Sequence, residues 1–192
     1  MTNLAARLRA ETLTAHASIE MVALGTGFMS ALPAYAAYLR RMYGFYVAIE
    51  RSLGAASELA AWLPDLAARK KAPLIERDLL ALGDSRASID ALPVCTELEG
   101  ASAADAAWGL GASYVVEGAT LGGRYILSRL DASVPLDARH FFEGYGRRTG
   151  PMWRSFGDAL ARHSATASDD DTVVAAALST FGSMERWIVN CL

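Results

Sequence analysis

The sequence predicts an all-α fold in a single domain of 192 residues. Alanine-rich stretches whose apolar residues recur with the 3.6-residue period of a helix occur along most of the chain. Runs of Val, Ile and Thr that alternate apolar and polar positions, as strands do, are absent from the sequence. No segment is long or biased enough to be an interdomain linker, and no internal repeat is found. We therefore expect residues 1–192 to form one domain.

Seven helices are predicted from periodicity and from signals at helix ends. Pro33 and Pro73 suit the first turn of a helix, where the missing N–H of proline is not needed. Thr2, Ser102 and Ser168 are suitable N-caps. The predicted helices are Thr2–Met21, Pro33–Gly54, Ala55–Trp62, Pro73–Leu82, Ser102–Leu130, Leu136–Arg162 and Ser168–Val189.

Residues 21–39 carry no charged side chain and approach the roughly 20 residues that cross a bilayer. Pro33 and the cluster Gly25-Thr26-Gly27 interrupt this stretch, and the cluster predicts a turn between two helices. We therefore expect no membrane-spanning helix. Loops are predicted at 25–32, 83–100, 131–135 and 164–171.

Composition and charge argue against several functional classes. The chain has 18 Lys and Arg against 21 Asp and Glu, a net charge of −3, so no basic face for nucleic acid is expected. Cys95 and Cys191 form neither a C-x-x-C pair nor a disulfide framework, which favours reduced thiols and the cytoplasm. Charges near the N-terminus occupy the place where a secretory signal needs an apolar stretch, so we expect no export signal.

His16, on the first predicted helix, is the first candidate for chemistry. The helical spacing places it at the edge of the apolar stripe, between the core and solvent. Arg9 precedes it by seven residues, on nearly the same face and roughly 10 Å away. One ligand of porphyrin size could therefore contact both side chains. The alternative is a structural histidine beside a solvated arginine, and His16 alone does not decide between them.

The predicted helix over 102–130 contains more glycine than helix stability favours, since each interior glycine costs about 1 kcal/mol relative to alanine. Gly111, Gly118 and Gly122 share one face, which exposes a strip of backbone. Either another helix packs closely there or a flat ligand does. The adjacent pair Gly122-Gly123 favours the ligand, because consecutive glycines allow a helix to bend.

Three ordered segments together resemble the heme oxygenase family, specifically the bacterial members that accompany bacteriophytochromes. The segment from Glu11 to Glu20, with His16 inside it, resembles the proximal-histidine helix of that family. Glu117-Gly-Ala-Thr-Leu-Gly-Gly123 resembles its glycine-rich distal helix, and residues 141–153 resemble the segment that approaches the heme edge. The resemblance spans nearly the whole chain and implies a heme oxygenase-like multi-helix bundle.

The resemblance implies that heme b is both cofactor and substrate and that His16 is the iron ligand, with Glu20 a candidate to orient its other ring nitrogen. Close backbone at Gly118 and Gly122 is implied to select one meso carbon for attack. O2 and an external electron donor, such as a ferredoxin or ascorbate, would yield biliverdin, CO and free iron. The implied partners are that donor protein and a bacteriophytochrome that receives the bilin.

One departure from the family pattern concerns distal water. Ala119 stands where many members carry an aspartate that organises this water. The candidates to replace that aspartate are Glu117, Thr120, Ser113 and Tyr114.

The implied heme contacts also include arginines. Arg9 matches a basic position of the family, and Arg147 and Arg148 lie near later ones. The planar guanidinium suits the propionate carboxylates, although an ordinary solvated face would also explain the later pair. The full set of implied heme-binding residues is Arg9, His16, Tyr114, Gly118, Gly122, Gly123 and Arg147.

Three other functions compete with this interpretation. A non-catalytic heme carrier or sensor would use the same pocket, and the missing aspartate supports it. A di-iron bundle needs Glu-x-x-His on two helices, whereas His140-Phe-Phe-Glu143 has the reverse order and occurs once. The related helical fold that processes thiamin pyrimidines needs a nucleophilic pocket cysteine, and Cys95, in a predicted loop, and the terminal Cys191 are poorly placed for that role.

Overall fold

A computed structural model describes residues 3–98, 105–167 and 169–190. Every regular element within these ranges is helical, which confirms the predicted all-α class. In the same ranges, no helix has both the length and the apolar character needed to cross a membrane.

The described α-helices are numbered along the chain, and short 3₁₀ turns lie between some of them. The α-helices are α1 (Leu4–Glu11), α2 (Leu13–Gly25), α3 (Leu32–Ala55), α4 (Leu59–Trp62), α5 (Ala72–Ala81), α6 (Arg86–Asp90), α7 (Ala106–Gly118), α8 (Gly123–Leu127), α9 (His140–Glu143), α10 (Thr149–Thr166) and α11 (Asp170–Val189). The 3₁₀ turns are Leu66–Arg69, Thr96–Leu98, Ala119–Gly122, Leu136–Ala138 and Gly146–Arg148.

Several predicted helix boundaries are confirmed. Pro33 and Pro73 lie in the first turns of α3 and α5, as expected for a residue without an N–H group. A turn follows α2, and Gly27 adopts a φ of 69° there, which favours glycine. The predicted caps Thr2, Ser102 and Ser168 fall outside the described residues.

Side-chain caps begin α1 and α7 within the described residues. Asn3 accepts a hydrogen bond from the backbone N–H of Ala5. Asp105 accepts from the N–H groups of Ala107 and Trp108. These bonds satisfy N–H groups that have no partner within the helix.

The predicted helix Thr2–Met21 is interrupted at Thr12, where α1 gives way to α2. The Thr12 hydroxyl donates to the Leu8 carbonyl oxygen at 2.8 Å, a bond that often bends a helix. The second helix then extends past Met21 to Gly25. Arg9 and His16 therefore lie on either side of this break.

The prediction of one helix over Leu136–Arg162 is wrong in its first half. Two 3₁₀ turns and the four-residue α9 precede α10, which begins only at Thr149. Gly144 and Gly146 have φ values of 53° and 57°, and this left-handed backbone separates α9 from the helical residues that follow.

Three further boundaries differ from the predictions. A 3₁₀ turn separates α7 from α8, so the described part of the predicted helix Ser102–Leu130 is interrupted and ends at Leu127. The predicted loop over 83–100 contains α6, which Ser85 caps by accepting from Ser88 N–H. Within the predicted helix Ala55–Trp62, Ala55 is the last residue of α3, and the next helix, α4, begins only at Leu59.

Helix α11 contacts both α2, which carries His16, and α7, which ends at Gly118. It packs along α7 and along α2, while α3 packs on α5. A Cβ on Gly111 would lie under 3.0 Å from the backbone of Val173, so this glycine permits the close approach of α7 to α11. One cluster of buried apolar side chains extends from Leu4 in α1 to Ile188 in α11.

Candidate functional site

His16 lies on α2 with 52% of its side chain exposed. Its ring packs edge-on against Phe181 of α11, with 6.0 Å between the centroids. Its Nδ1 is 3.6 Å from Glu20 Oε2, which is longer than a hydrogen bond. No hydrogen bond within the described ranges occupies either ring nitrogen, so the imidazole is available as a metal ligand.

The helix that carries His16 exposes an unusual amount of apolar surface. Of its residues only Ile19 is buried. Leu13, Met21 and Leu24 are 65%, 69% and 51% exposed. Exposed apolar patches of this kind mark ligand grooves or interaction surfaces. The surface around His16 therefore suits an apolar ligand.

The glycines of α7 and α8 separate into two groups. Gly111 and Gly123 are required by packing, because a Cβ on each would come within 3.0 Å of neighbouring backbone, while a Cβ on Gly109 would press on the end of the Leu59 side chain. Packing does not require Gly118 or Gly122 to be glycine. A Cβ on Gly118 would meet only the Trp153 ring, at 3.9 Å, and one on Gly122 would meet nothing within 4 Å. Close packing therefore explains Gly111 and Gly123, whereas Gly118 and Gly122 leave backbone that a flat ligand could approach.

Apolar side chains surround the two open glycines. Leu121 and Tyr125 are 48% and 55% exposed. Tyr114 is half-buried and tilted against Trp153, with 5.9 Å between ring centroids. Ala119 is exposed and offers no polar group. An available imidazole, exposed apolar side chains and backbone without Cβ atoms fit a flat, metal-bearing ligand such as heme.

Glu117, although adjacent to Gly118, is buried on another face of α7 and is only 2% exposed. Its Oε2 accepts from Arg69 Nη1 at 2.5 Å. Its Oε1 accepts from Lys71 Nζ at 2.9 Å and from the Tyr145 hydroxyl at 2.6 Å. The structure therefore does not bring this predicted site residue to the open glycines. All three of its partners are residues that sequence reasoning missed.

A cavity of about 210 Å³ lies behind α7, and Ser113, Val116 and Glu117 line it from that helix. Their three- and four-residue spacing places them on one side of α7, roughly opposite Gly111 and Gly118. Among the residues that the structure describes, none forms a hydrogen bond with the buried Ser113 hydroxyl. Ser113 therefore faces this cavity.

Glu50 of α3 also lines the cavity. Its carboxylate accepts from the backbone N–H groups of Lys71 and Ala72, the latter at 3.0 Å. Burial raises the pKa of the Glu50 carboxyl above its ordinary value, because desolvation disfavours the charged form.

A signal for the missed partners was present in the sequence. Glu117 is the one charged residue in the apolar stretch from Ala106 to Gly123, so a buried helix there requires counter-charges. The basic run Arg69-Lys70-Lys71 could have supplied them. Sequence spacing alone did not connect the two segments.

Thr120 stabilises the end of α7. Its hydroxyl donates to the Glu117 carbonyl oxygen at 2.6 Å. This bond satisfies a carbonyl at the point where the α-helix becomes a 3₁₀ turn.

The predicted propionate ligands are all on the surface. Arg9 is exposed on α1, and Arg147 and Arg148 are exposed on the 3₁₀ turn that precedes α10. Within the described ranges, no carboxylate lies within ion-pair distance of any of the three. Their guanidinium groups are available to an anionic ligand.

Comparison with known proteins identifies the family to which this fold belongs. The heme oxygenase family profile matches residues 2–190. A heme oxygenase from Xanthomonas campestris pv. campestris is 30% identical over 169 residues, which cover 84% of this chain and 92% of that protein. The NO- and CO-bound heme oxygenase from Neisseria meningitidis has a similar fold, with a TM-score of 0.78 at 18% identity over 99% of this chain and 92% of that chain. Because the family profile covers almost every residue, this chain belongs to the heme oxygenase family.

Proposed function

We propose that this protein is a heme oxygenase that converts heme to biliverdin, CO and free iron. The observation that carries the proposal is open backbone at Gly118 and Gly122 in a member of the heme oxygenase family, and His16 supplies an available imidazole. Heme b would be both substrate and cofactor, and its iron would activate O2 with electrons from an external donor such as a ferredoxin or ascorbate.

His16 is the proposed iron ligand and would bind through a neutral ring nitrogen. Glu20, whose Oε2 lies 3.6 Å from Nδ1, would orient the ring after a small rotation. The flat ring would lie against Gly118 and Gly122, where no Cβ intervenes.

Further residues of the family pattern are proposed to bind or position the ring and its propionates. Arg9 and Arg147 would bind the propionate carboxylates. Tyr114, half-buried beside Trp153, would contact the ring. Gly123 packs on Phe142, so its proposed contribution is to hold Gly122 in place.

A second candidate function is a heme carrier or sensor that uses the same pocket. The side chain of Ala119 has no carboxylate. The nearby Glu117 carboxylate accepts hydrogen bonds from Arg69, Lys71 and Tyr145. No carboxylate between residues 106 and 127 therefore faces the open glycines. If the protein is instead an oxygenase, the hydroxyl groups of Thr120 and Tyr114 are proposed to organise distal water in place of the family's aspartate.

The subtype and the cellular role belong to the same proposal. The segment Glu117–Gly123 resembles the heme oxygenases that accompany bacteriophytochromes, which supports delivery of the bilin to such a photoreceptor. A cytoplasmic location and a protein electron donor are proposed with it.

The decisive test is to add hemin to the purified protein and follow its absorbance in air with ascorbate or a ferredoxin system. The wild type should lose the main heme band and form a red-absorbing bilin, whereas His16→Ala should do neither. Thr14→Ala, an exposed change on the same helix, is the matched control and should behave as wild type. Stable His16-dependent heme without bilin would favour the carrier, and no heme binding would refute both functions.

A further inference from the structure

Glu117 connects three segments that are distant in sequence. Arg69 ends one 3₁₀ turn, Lys71 precedes α5, and Tyr145 lies in the loop after α9. The side chains of Glu117, Arg69 and Lys71 are only 2%, 3% and 2% exposed. Because all three charges are removed from water, each depends on the others for compensation.

The charges in this cluster balance. Arg69 also binds Asp65, through Nε and Nη2 at 2.9 Å each. Two cations therefore face two carboxylates. Lys71 Nζ donates to the Arg69 carbonyl and the Tyr145 hydroxyl as well as to Glu117, so its three protons are all used.

Glu117 also lies one residue before the end of α7. Its side chain is held from behind by the cluster, and its carbonyl accepts from the Thr120 hydroxyl at 2.6 Å. The next residue, Gly118, has no side chain with which to fix its own position. The bonds of Glu117 therefore help to fix the backbone that leads into Gly118.

The same cluster holds the loop that bears Arg147 and Arg148. Tyr145 lies between Gly144 and Gly146, both with left-handed backbone and neither with a side chain to anchor the loop. Lys71 Nζ lies 4.4 Å from the centre of the Tyr145 ring, which adds a cation–π contact to the hydroxyl bonds. The Tyr145 side chain is thus the loop's anchor to α7.

We propose that Glu117 is a positioning residue that determines which meso carbon of heme is attacked. Its carboxylate fixes the backbone at Gly118 and Gly122 and, through Tyr145, the loop with the two arginines. The ring edge and the propionates would therefore be held in register by one buried group. This inference rests on the proposed heme oxygenase function.

The test compares Glu117→Gln with wild type by the ratio of biliverdin isomers formed. The glutamine retains the shape but loses the charge that Lys71 and Arg69 neutralise. We expect heme still to bind through His16, with an unchanged spectrum, while the share of the minor isomer rises at least about threefold. A merely structural role would lower thermal stability without changing this ratio. An unchanged ratio would overturn the proposal.

Two further variants test whether Glu117 acts through the loop that Tyr145 anchors. Asp65→Asn removes the other carboxylate on Arg69 without touching α7 or Tyr145, and it should keep the wild-type ratio. Tyr145→Phe removes only the loop anchor and should also shift the ratio. If Glu117→Gln does not fold, Tyr145→Phe decides: a wild-type ratio there overturns the proposal.

A second readout separates this inference from the proposed function. Hydrogen exchange of the heme-free protein at residues 119–123 and 144–148 should be faster in Glu117→Gln than in wild type, and unchanged in Asp65→Asn. If wild type forms no bilin, the proposed function fails, and exchange still tests the positioning role. Unchanged exchange in both segments would then refute that role.

Discussion

Gly123 lies directly against the backbone carbonyl of Phe142, so that a Cβ on the glycine would come under 3.0 Å from the carbonyl oxygen. A Cβ on its neighbour Gly122 would meet no atom within 4 Å. Two adjacent glycines thus have different roles: one is required by the fold, and the other leaves backbone open.

Gly123→Ala should destabilise the protein by roughly 1–3 kcal/mol, because the backbone must move to relieve the overlap with Phe142. Denaturant unfolding of the heme-free protein measures this loss. Gly122→Ala is the matched control and should be neutral or stabilising by up to about 1 kcal/mol. Equal stability of the two variants would contradict the assignment.

Gly122→Val should weaken heme binding at least about tenfold while leaving the fold intact. A branched side chain would fill the surface at which the flat ring is proposed to approach the backbone. Titration with hemin measures the affinity, and thermal unfolding of the heme-free protein checks the fold. Ala161→Val, at an exposed position of α10 outside the proposed heme contacts, controls for the added bulk. Wild-type affinity in Gly122→Val would place the ligand elsewhere.

Lys71→Met should destabilise the protein by about 3–5 kcal/mol, because it removes one partner of a buried ion cluster and leaves the Glu117 charge undercompensated. Urea unfolding at pH 7 gives the difference. Lys70→Met, an exposed change next to it, should cost less than about 1 kcal/mol. A small effect at Lys71 would mean that Arg69 alone satisfies the carboxylate.

Glu50→Gln should stabilise the protein at pH 7 and lose this advantage in acid. Burial raises the folded pKa of the Glu50 carboxyl above its ordinary value of 4.5, so the ionised group disfavours folding at neutral pH. As pH falls through the folded pKa, protonation relieves that penalty, and below about 4.5 the wild type and the variant should converge.

Unfolding measured from pH 7 to pH 4 tests this dependence. Glu58→Gln, an exposed change on the surface, should show no such convergence. If the stability difference between Glu50→Gln and wild type grows on acidification, the ionised Glu50 carboxylate does not destabilise the folded protein at pH 7.

Much of the fold followed from signals within a few residues of one another. Helical periodicity indicated the all-α class, and Pro33 and Pro73 marked the starts of α3 and α5. His16 stood out because helical spacing places it at the edge of an apolar stripe and on nearly the same face as Arg9. These features depend on local backbone preference, which a short stretch of sequence contains.

The interruption of the predicted helix Leu136–Arg162 was not foreseen. Apolar periodicity continues across this stretch, but Gly144 and Gly146 adopt left-handed backbone there. Asp78 of α5 holds the start of α9 by accepting from the N–H groups of His140 and Phe141 at 2.9 and 2.8 Å. A contact across 62 residues stabilises the break, and no local pattern reveals it.

The sequence by itself determined the helical class, the family, and the candidate residues His16, Gly118 and Gly122. The tertiary structure decided which glycines pack and where Glu117 points. Helical spacing says which residues share a face but not what lies opposite that face. Glu117 finds its partners 48, 46 and 28 residues away, because a buried charge must be neutralised by whatever the fold brings near it.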